Sequence, residues 1–287
     1  MPATNQIDQL VSAIDQHRSP ACVGIDPVFT KLPESLQSMD EVEAIGQFSL
    51  GVLDAIKGSV PVIKPQSACF ERYGSSGYAI LEQVVAKGRE LGFVVILDAK
   101  RGDIGSSAQH YARGAADMGA HFITVSPYMG PSTIEPFLDA GLGVFALART
   151  SNPDSDAVQL NELADGRRVV HAISSMISKM GSDQLGSTGL SALGAVVGAT
   201  KSAAEMGLLR EIMPDQMFLV PGVGAQGGTV DDVRPMCRME AQTSGQLGVI
   251  VNASRSVLYP ASDAQDWQQC IEDAAKTFAA SLATLTT

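Results

Sequence analysis

Phe93-Val94-Val95-Ile96-Leu97-Asp98-Ala99-Lys100-Arg101-Gly102-Asp103-Ile104 runs five apolar residues straight into a cluster of four charges. The apolar part does not alternate with polar residues. It therefore reads as a strand buried on both faces, as strands of parallel sheets are. Seven further runs of the same kind surround it: Ala21–Asp26, Val60–Gln66, Phe122–Pro127, Gly143–Thr150, Gly194–Thr200, Met217–Gly222 and Gly248–Ser254. With Phe93–Lys100 they make eight, each 6 to 8 residues long, and most intervals leave room for a helix. Ile7, Leu10, Val11 and Ile14 share a helical face ahead of the first run, and Ile80, Val84 and Leu91 do so more loosely ahead of the third. Eight strands alternating with helices define an α/β protein, either a (β/α)8 TIM barrel or a doubly wound open sheet. No G-x-G-x-x-G follows the first run, where the chain reads Gly24-Ile25-Asp26-Pro27, and this weakens the open-sheet option. The expected fold is a TIM barrel, one domain over residues 1–287.

The longest interval, Ser151–Leu193, predicts a helix over about Asn161–Met180, then a Gly/Ser-rich stretch, Gly181–Ser191. That stretch is either a mobile loop over the site or a plain connection.

Hydrophobic residues make up 45% of the chain, enough for a full core, and the formal net charge is −11. So acidic a chain has no general attraction for nucleic acid or an anionic membrane. A phosphate would need a local device, such as backbone N–H groups and one or two basic side chains. Cys22, Cys69, Cys237 and Cys270 form no C-x-x-C pair and no zinc spacing, so four reduced thiols are expected, two of them on strands. The start of the chain lacks a signal-peptide layout, and no apolar run reaches the length of a membrane span, so a cytoplasmic protein is expected. His17, His110 and His171 fall in or beside expected helices and His121 just before a strand, so all four read as structural or solvated.

Barrel enzymes build their sites at the C-terminal ends of the strands. Those ends carry Asp26, Lys64, Asp98 with Lys100, Ser126, and just beyond them Ser151, Gln226 and Arg255. Asp98 and Lys100 are two apart, so on a strand they face the same way, into the barrel mouth if Leu97 and Ala99 face the helices. Lys64 ends the neighbouring strand, within reach of Asp98. Lysines alternating with carboxylates in a confined site would hold an ammonium as a positioned proton donor. A D-x-K triplet by itself is more often a surface ion-pair cluster. The Arg101-Gly102-Asp103 tripeptide is a chance match to an adhesion motif. Pro221-Gly222-Val223-Gly224-Ala225-Gln226-Gly227-Gly228 follows the seventh run and precedes an expected helix, a layout suited to phosphate, with Arg255 as a charged clamp.

Leu97-Asp98-Ala99-Lys100-Arg101-Gly102-Asp103-Ile104 resembles the D-x-K-x-x-D-I signature of the orotidine 5′-phosphate decarboxylase family. Asp26, Lys64, Ser151 in Thr150-Ser151-Asn152-Pro153, Gln226 in its glycine-rich loop and Arg255 match in order, from Val23 to Tyr259. Lys64-Pro65-Gln66 and Phe70-Glu71 are similar to the longer bacterial branch of that family, type 2. The resemblance implies a TIM-barrel homodimer without metal or organic cofactor, turning orotidine 5′-phosphate (OMP) into UMP and carbon dioxide. It implies that Lys100 protonates C6, that Asp98 lies beside the substrate carboxylate, and that Lys64 holds Asp98 and contacts the ribose. Asp103 would enter the partner subunit's site, with Ile104 and Ser107 beside it. Asp26 would bind a ribose hydroxyl, Ser151 would bridge the pyrimidine and Gln226, and Gln226 and Arg255 would grip the phosphate. Two positions depart from the pattern: Ser254-Arg255 stands where some relatives have Gly-Arg, and Ser107 where some have threonine.

Two other readings compete. Metal-dependent decarboxylases of sugar phosphates such as 3-keto-gulonate 6-phosphate share a D-x-K-x-x-D element but usually end strand two with a glutamate for magnesium. This chain has Lys64 there, a cation that would repel the metal. A barrel that binds a nucleotide without turnover is the other reading, and it would keep costly charges to no chemical end.

Overall fold

The computed structural model describes residues 5–199, 201–223, 227–261 and 266–286. In these residues eight parallel strands close into a barrel in chain order, with β8 paired back to β1. The strands are β1 (Ala21–Ile25), β2 (Val62–Pro65), β3 (Val94–Arg101), β4 (Phe122–Val125), β5 (Gly143–Arg149), β6 (Ser191–Val197), β7 (Gln216–Val220) and β8 (Val249–Ala253). The principal helices are α1 (Gln6–His17), α2 (Glu41–Ile56), α3 (Gly74–Glu90), α4 (Gly105–Met118), α5 (Glu135–Asp139), α6 (Val169–Gly181), α7 (Ala203–Ile212) and α8 (Trp267–Leu282). None of the described helices is long and apolar enough to cross a membrane.

The strands are mainly apolar because both faces are covered. Residues such as Val23, Ile63, Val95, Leu97, Ile123 and Val125 pack outward against the helices. Their alternates, among them Cys22, Val62, Ile96, Phe122, Phe145 and Ile250, fill the barrel. The face of α1 formed by Ile7, Leu10, Val11 and Ile14 joins that inner cluster and plugs the barrel's N-terminal end. The ring of Phe145 fits because Gly194 beside it has no side chain; a Cβ there would lie 2.3 Å from the Met217 carbonyl and 2.8 Å from the ring. The barrel is thus closed below by α1 and opens into a cavity where its strands end.

The long interval after β5 differs from expectation. Residues Asn161–Arg168 are not helical; Asp165-Gly166 turns the chain, with Gly166 at φ +83°, and Leu163 N–H donates to the Arg167 carbonyl at 2.7 Å. The helix expected over Asn161–Met180 is confined to Val169–Gly181. The Gly/Ser-rich stretch is a connection at the end far from the strand C-termini. Ser187 there donates through N–H and Oγ to Asp8 of α1 at 2.8 and 3.0 Å, and β6 already begins at Ser191. After β7 the expected helix is a 3-10 segment, Asp231–Met236, carrying Pro235, whose ring nitrogen has no hydrogen to donate. The cysteines are free, and of the four only Cys22 lies on a strand.

Candidate active site

The ladder between β3 and β4 pairs Leu97 with Ile123 and Arg101 with Val125, so four steps on β3 match two on β4. The surplus bulges at the strand end and puts Lys100 at φ +44°, in the left-handed region. For a residue with a side chain this costs about 1 kcal/mol. The bulge turns the Lys100 ammonium back onto Asp98, at 2.6 Å from Oδ1. Lys64, at the end of β2, donates to Asp98 Oδ2 at 2.5 Å. Leu97 and Ala99 pack with the outer layer, so the expected orientation of the D-x-K triplet holds.

Asp98 accepts two further hydrogen bonds, from Gln66 Nε2 to Oδ2 at 3.2 Å and from Thr124 Oγ1 to Oδ1 at 2.9 Å. Four donors fill the four acceptor positions of an ionised carboxylate. Burial pushes the Asp98 pKa upward, but Lys64 and Lys100 outweigh it and hold the carboxyl well below its usual range. Burial likewise pulls Lys64 down, and Asp98 and Asp26 more than reverse this, leaving it above its ordinary value. Asp98 and Lys64 are therefore an ionised pair at neutral pH.

These groups line a cavity of about 470 Å³ at the barrel mouth, which suits a nucleotide-sized ligand. Asp26, Lys64, Asp98, Lys100, Ser151 and Arg255 all reach it. Asp26 Oδ1 is buried there without a hydrogen-bond partner, so it is ready for a donor from a ligand. The Asp26 backbone is held by Tyr259, whose hydroxyl donates to the Asp26 carbonyl at 3.2 Å and accepts from Val28 N–H at 2.8 Å. Ser254 packs its side chain over Gly24, where a Cβ would come within 2.0 Å of Ser254 Oγ; the serine ahead of Arg255 is thus accommodated across the β1–β8 seam.

Asp103, Ile104 and Ser107, expected at the partner subunit's site, do not line this chain's own cavity, and Asp103 Oδ1 accepts the N–H of Ile104 at 2.8 Å. Ser126, another strand-end residue, also stays outside and instead donates its N–H to the Arg101 carbonyl. Gln226 lies outside the described residues. Conversely, Thr124 and Asn252 line the cavity and were missed. Each is a single polar residue near the end of an otherwise apolar strand, Phe122–Val125 and Val249–Ala253, and that interruption was the available signal. Gln66, noted only as part of a sequence pattern, is a direct partner of Asp98.

Residues 19–270 match the family model described as Orotidine 5′-phosphate decarboxylase / HUMPS family. The orotidine 5′-phosphate decarboxylase of Rhodopirellula baltica is 36% identical, over 93% of this chain and 95% of that protein. The chain belongs to the orotidine 5′-phosphate decarboxylase family. The orotidine 5′-phosphate decarboxylase of Roseiflexus castenholzii is 40% identical over 89% of both chains. A candidate orotidine 5′-phosphate decarboxylase from Streptomyces avermitilis, solved by crystallography, superposes with a TM-score of 0.82 at 35% identity, covering 100% of this chain and 97% of that one. As a member of the orotidine 5′-phosphate decarboxylase family the chain is a carboxy-lyase on a TIM barrel, and the family's reaction takes OMP to UMP and carbon dioxide.

Proposed function

We propose that this chain decarboxylates OMP in pyrimidine biosynthesis, with Lys100 as proton donor to C6 and with no metal or organic cofactor. The observation that carries this reading is one buried carboxylate, Asp98, shared by two ammoniums inside the cavity. Breaking the bond from C6 to the carboxylate leaves its electron pair on C6, in an orbital with no adjacent π system to accept it. A fixed ammonium stabilises that charge as it develops, then transfers its proton to C6. Asp98 holds Lys100 in place and lies beside the leaving carboxylate. Lys64 neutralises Asp98 and contacts the ribose, and the unpartnered oxygen of Asp26 takes a ribose hydroxyl. Arg255 and the loop residue Gln226 grip the phosphate, and Ser151 bridges the pyrimidine to Gln226. Energy from that remote grip supports chemistry at C6.

The working form is a homodimer in the cytoplasm, each chain acting as one catalytic unit over 1–287. Asp103, at the rim of its own barrel, completes the partner's array, with Ile104 and Ser107 beside it. Exposed apolar side chains in the neighbouring segments after β3 and β4, Ile104, Tyr111, Tyr128 and Met129, support a contact there between two copies.

The test is a spectrophotometric assay of purified protein with OMP in excess EDTA. Loss of the orotate-ring absorbance with UMP as product is the expected result. Turnover that needs added magnesium would refute metal-free chemistry. Nucleotide binding with no turnover in either condition would refute the enzyme reading.

A further inference from the structure

Four neighbouring strands send an inward side chain to the cavity floor. On β5, β6 and β7 these are Leu147, Val196 and Leu219; on β4 it is Thr124, 1% exposed. A valine has the same shape as threonine, so the packing alone does not call for the hydroxyl. That hydroxyl has two partners. It accepts the Lys100 N–H at 2.9 Å and donates to Asp98 Oδ1 at 2.9 Å. We infer that Thr124 is a positioning residue for the decarboxylation, its hydroxyl locking the bulged backbone of Lys100 and one oxygen of Asp98 into a single geometry.

The physical case starts with the bulge. Where β3 and β4 fall out of register, the Lys100 N–H turns to the Thr124 hydroxyl. The left-handed Lys100 is disfavoured locally and persists only if its surroundings determine it. The Lys100 side chain is 48% exposed, so rotamer packing does not hold it either. Its ammonium is placed by Asp98 Oδ1, and Asp98 Oδ1 is placed by Thr124. A single hydroxyl thus fixes both ends of the lysine: the main chain directly and the ammonium through the carboxylate. Donation from Thr124 to Oδ1, opposite Lys64 and Gln66 on Oδ2, also sets which carboxylate oxygen faces which lysine.

The inference rests on Lys100 as the proton donor, and the experiment separates the two. T124V, T124S and Lys100→Ala are compared with wild type for kcat and KM on OMP and for UMP affinity by calorimetry. T124V should lose kcat by about 10- to 100-fold with UMP affinity within about threefold of wild type, since misplaced reacting groups affect the chemical step far more than ground-state binding. T124S, which keeps the hydroxyl, should stay within about fivefold of wild-type kcat. Wild-type kcat in T124V, equal losses in T124S and T124V, or UMP affinity falling in step with kcat would each overturn the inference. If T124V does not fold, T124A against T124S isolates the same hydroxyl under the same criteria. A dead Lys100→Ala beside a normal T124V removes only the positioning role; a near-normal Lys100→Ala removes the donor assignment itself.

Discussion

Lys100, the proposed proton donor, has a backbone conformation that most residues avoid. The strain is offset by one carboxylate that satisfies two lysines, a glutamine and a threonine at once. Lys100→Ala should lower kcat by about 10³-fold or more, while UMP still binds measurably through the ribose and phosphate contacts. A variant within tenfold of wild type would sink the donor role. Arg255→Ala should act instead on affinity; equal binding of UMP by variant and parent would remove Arg255 from the phosphate grip. His121 shows how a residue outside the site is used. Its Nδ1 accepts the Val95 N–H at 3.0 Å, so the ring is neutral in the fold. Burial, with a smaller contribution from Arg89, pushes its pKa down to about 4. A folded-state value below the ordinary one near 6.5 means that this contribution to stability is complete above pH 6.5 and lost as pH falls toward 4. Urea unfolding from pH 7.5 to 4.5 should therefore show a shallower decline for His121→Asn than for wild type. Parallel declines would refute the assignment.

At the scale of elements, the segment after β5 is tied down by Arg149, which is fully buried at the strand's end. Its guanidinium donates to Glu205 of α7 at 2.6 Å, to Asp156 at 2.6 Å and to Ser155 at 2.9 Å. Gln159, another partner, accepts the Thr150 N–H at 3.1 Å, so the network braces the turn that carries Ser151. Arg149→Met would strand the largely buried Glu205 carboxylate and should destabilise the fold by about 3 kcal/mol, read by urea unfolding. A change under about 1 kcal/mol would mean that the network is dispensable. The Ser151 turn itself was legible in Thr150-Ser151-Asn152-Pro153, but its brace was not, because Arg149 and Glu205 are 56 residues apart. The helix expected over Asn161–Met180 lost its first two turns for a local reason: Asp165-Gly166 favours a turn that helical periodicity does not reveal.

Over the whole molecule, charge is arranged against its own average. The chain carries −11, yet the cavity gathers Lys64, Lys100 and Arg255 against Asp26 and Asp98, a local surplus of one positive charge. An anionic nucleotide is thus drawn to a mouth where cations outnumber carboxylates, while general anion binding is suppressed. If Asp103 acts across a dimer, an equal mixture of inactive Lys100→Ala and Asp103→Ala chains, exchanged at random, should regain about a quarter of wild-type activity, because half the dimers then hold one intact site of two. No recovery after demonstrated subunit exchange would place Asp103 outside a shared site.

What the sequence determined by itself was periodic or local. Eight largely apolar runs, most of them closed by polar residues, specify strands covered on both faces and a site at one end of them, and Asp98 with Lys100 is a pair set by spacing of two. Tertiary structure alone decided which distant groups meet. Pairing of β3 with β4 turns Thr124 inward onto both Asp98 and Lys100, a contact that no spacing in the chain announces. The register shift between β3 and β4 sets the left-handed turn at Lys100, and the same geometry leaves Asp103 outside its own chain's cavity. Periodicity records how each segment is buried; the stagger between strands, which chooses partners, exists only once the barrel has closed.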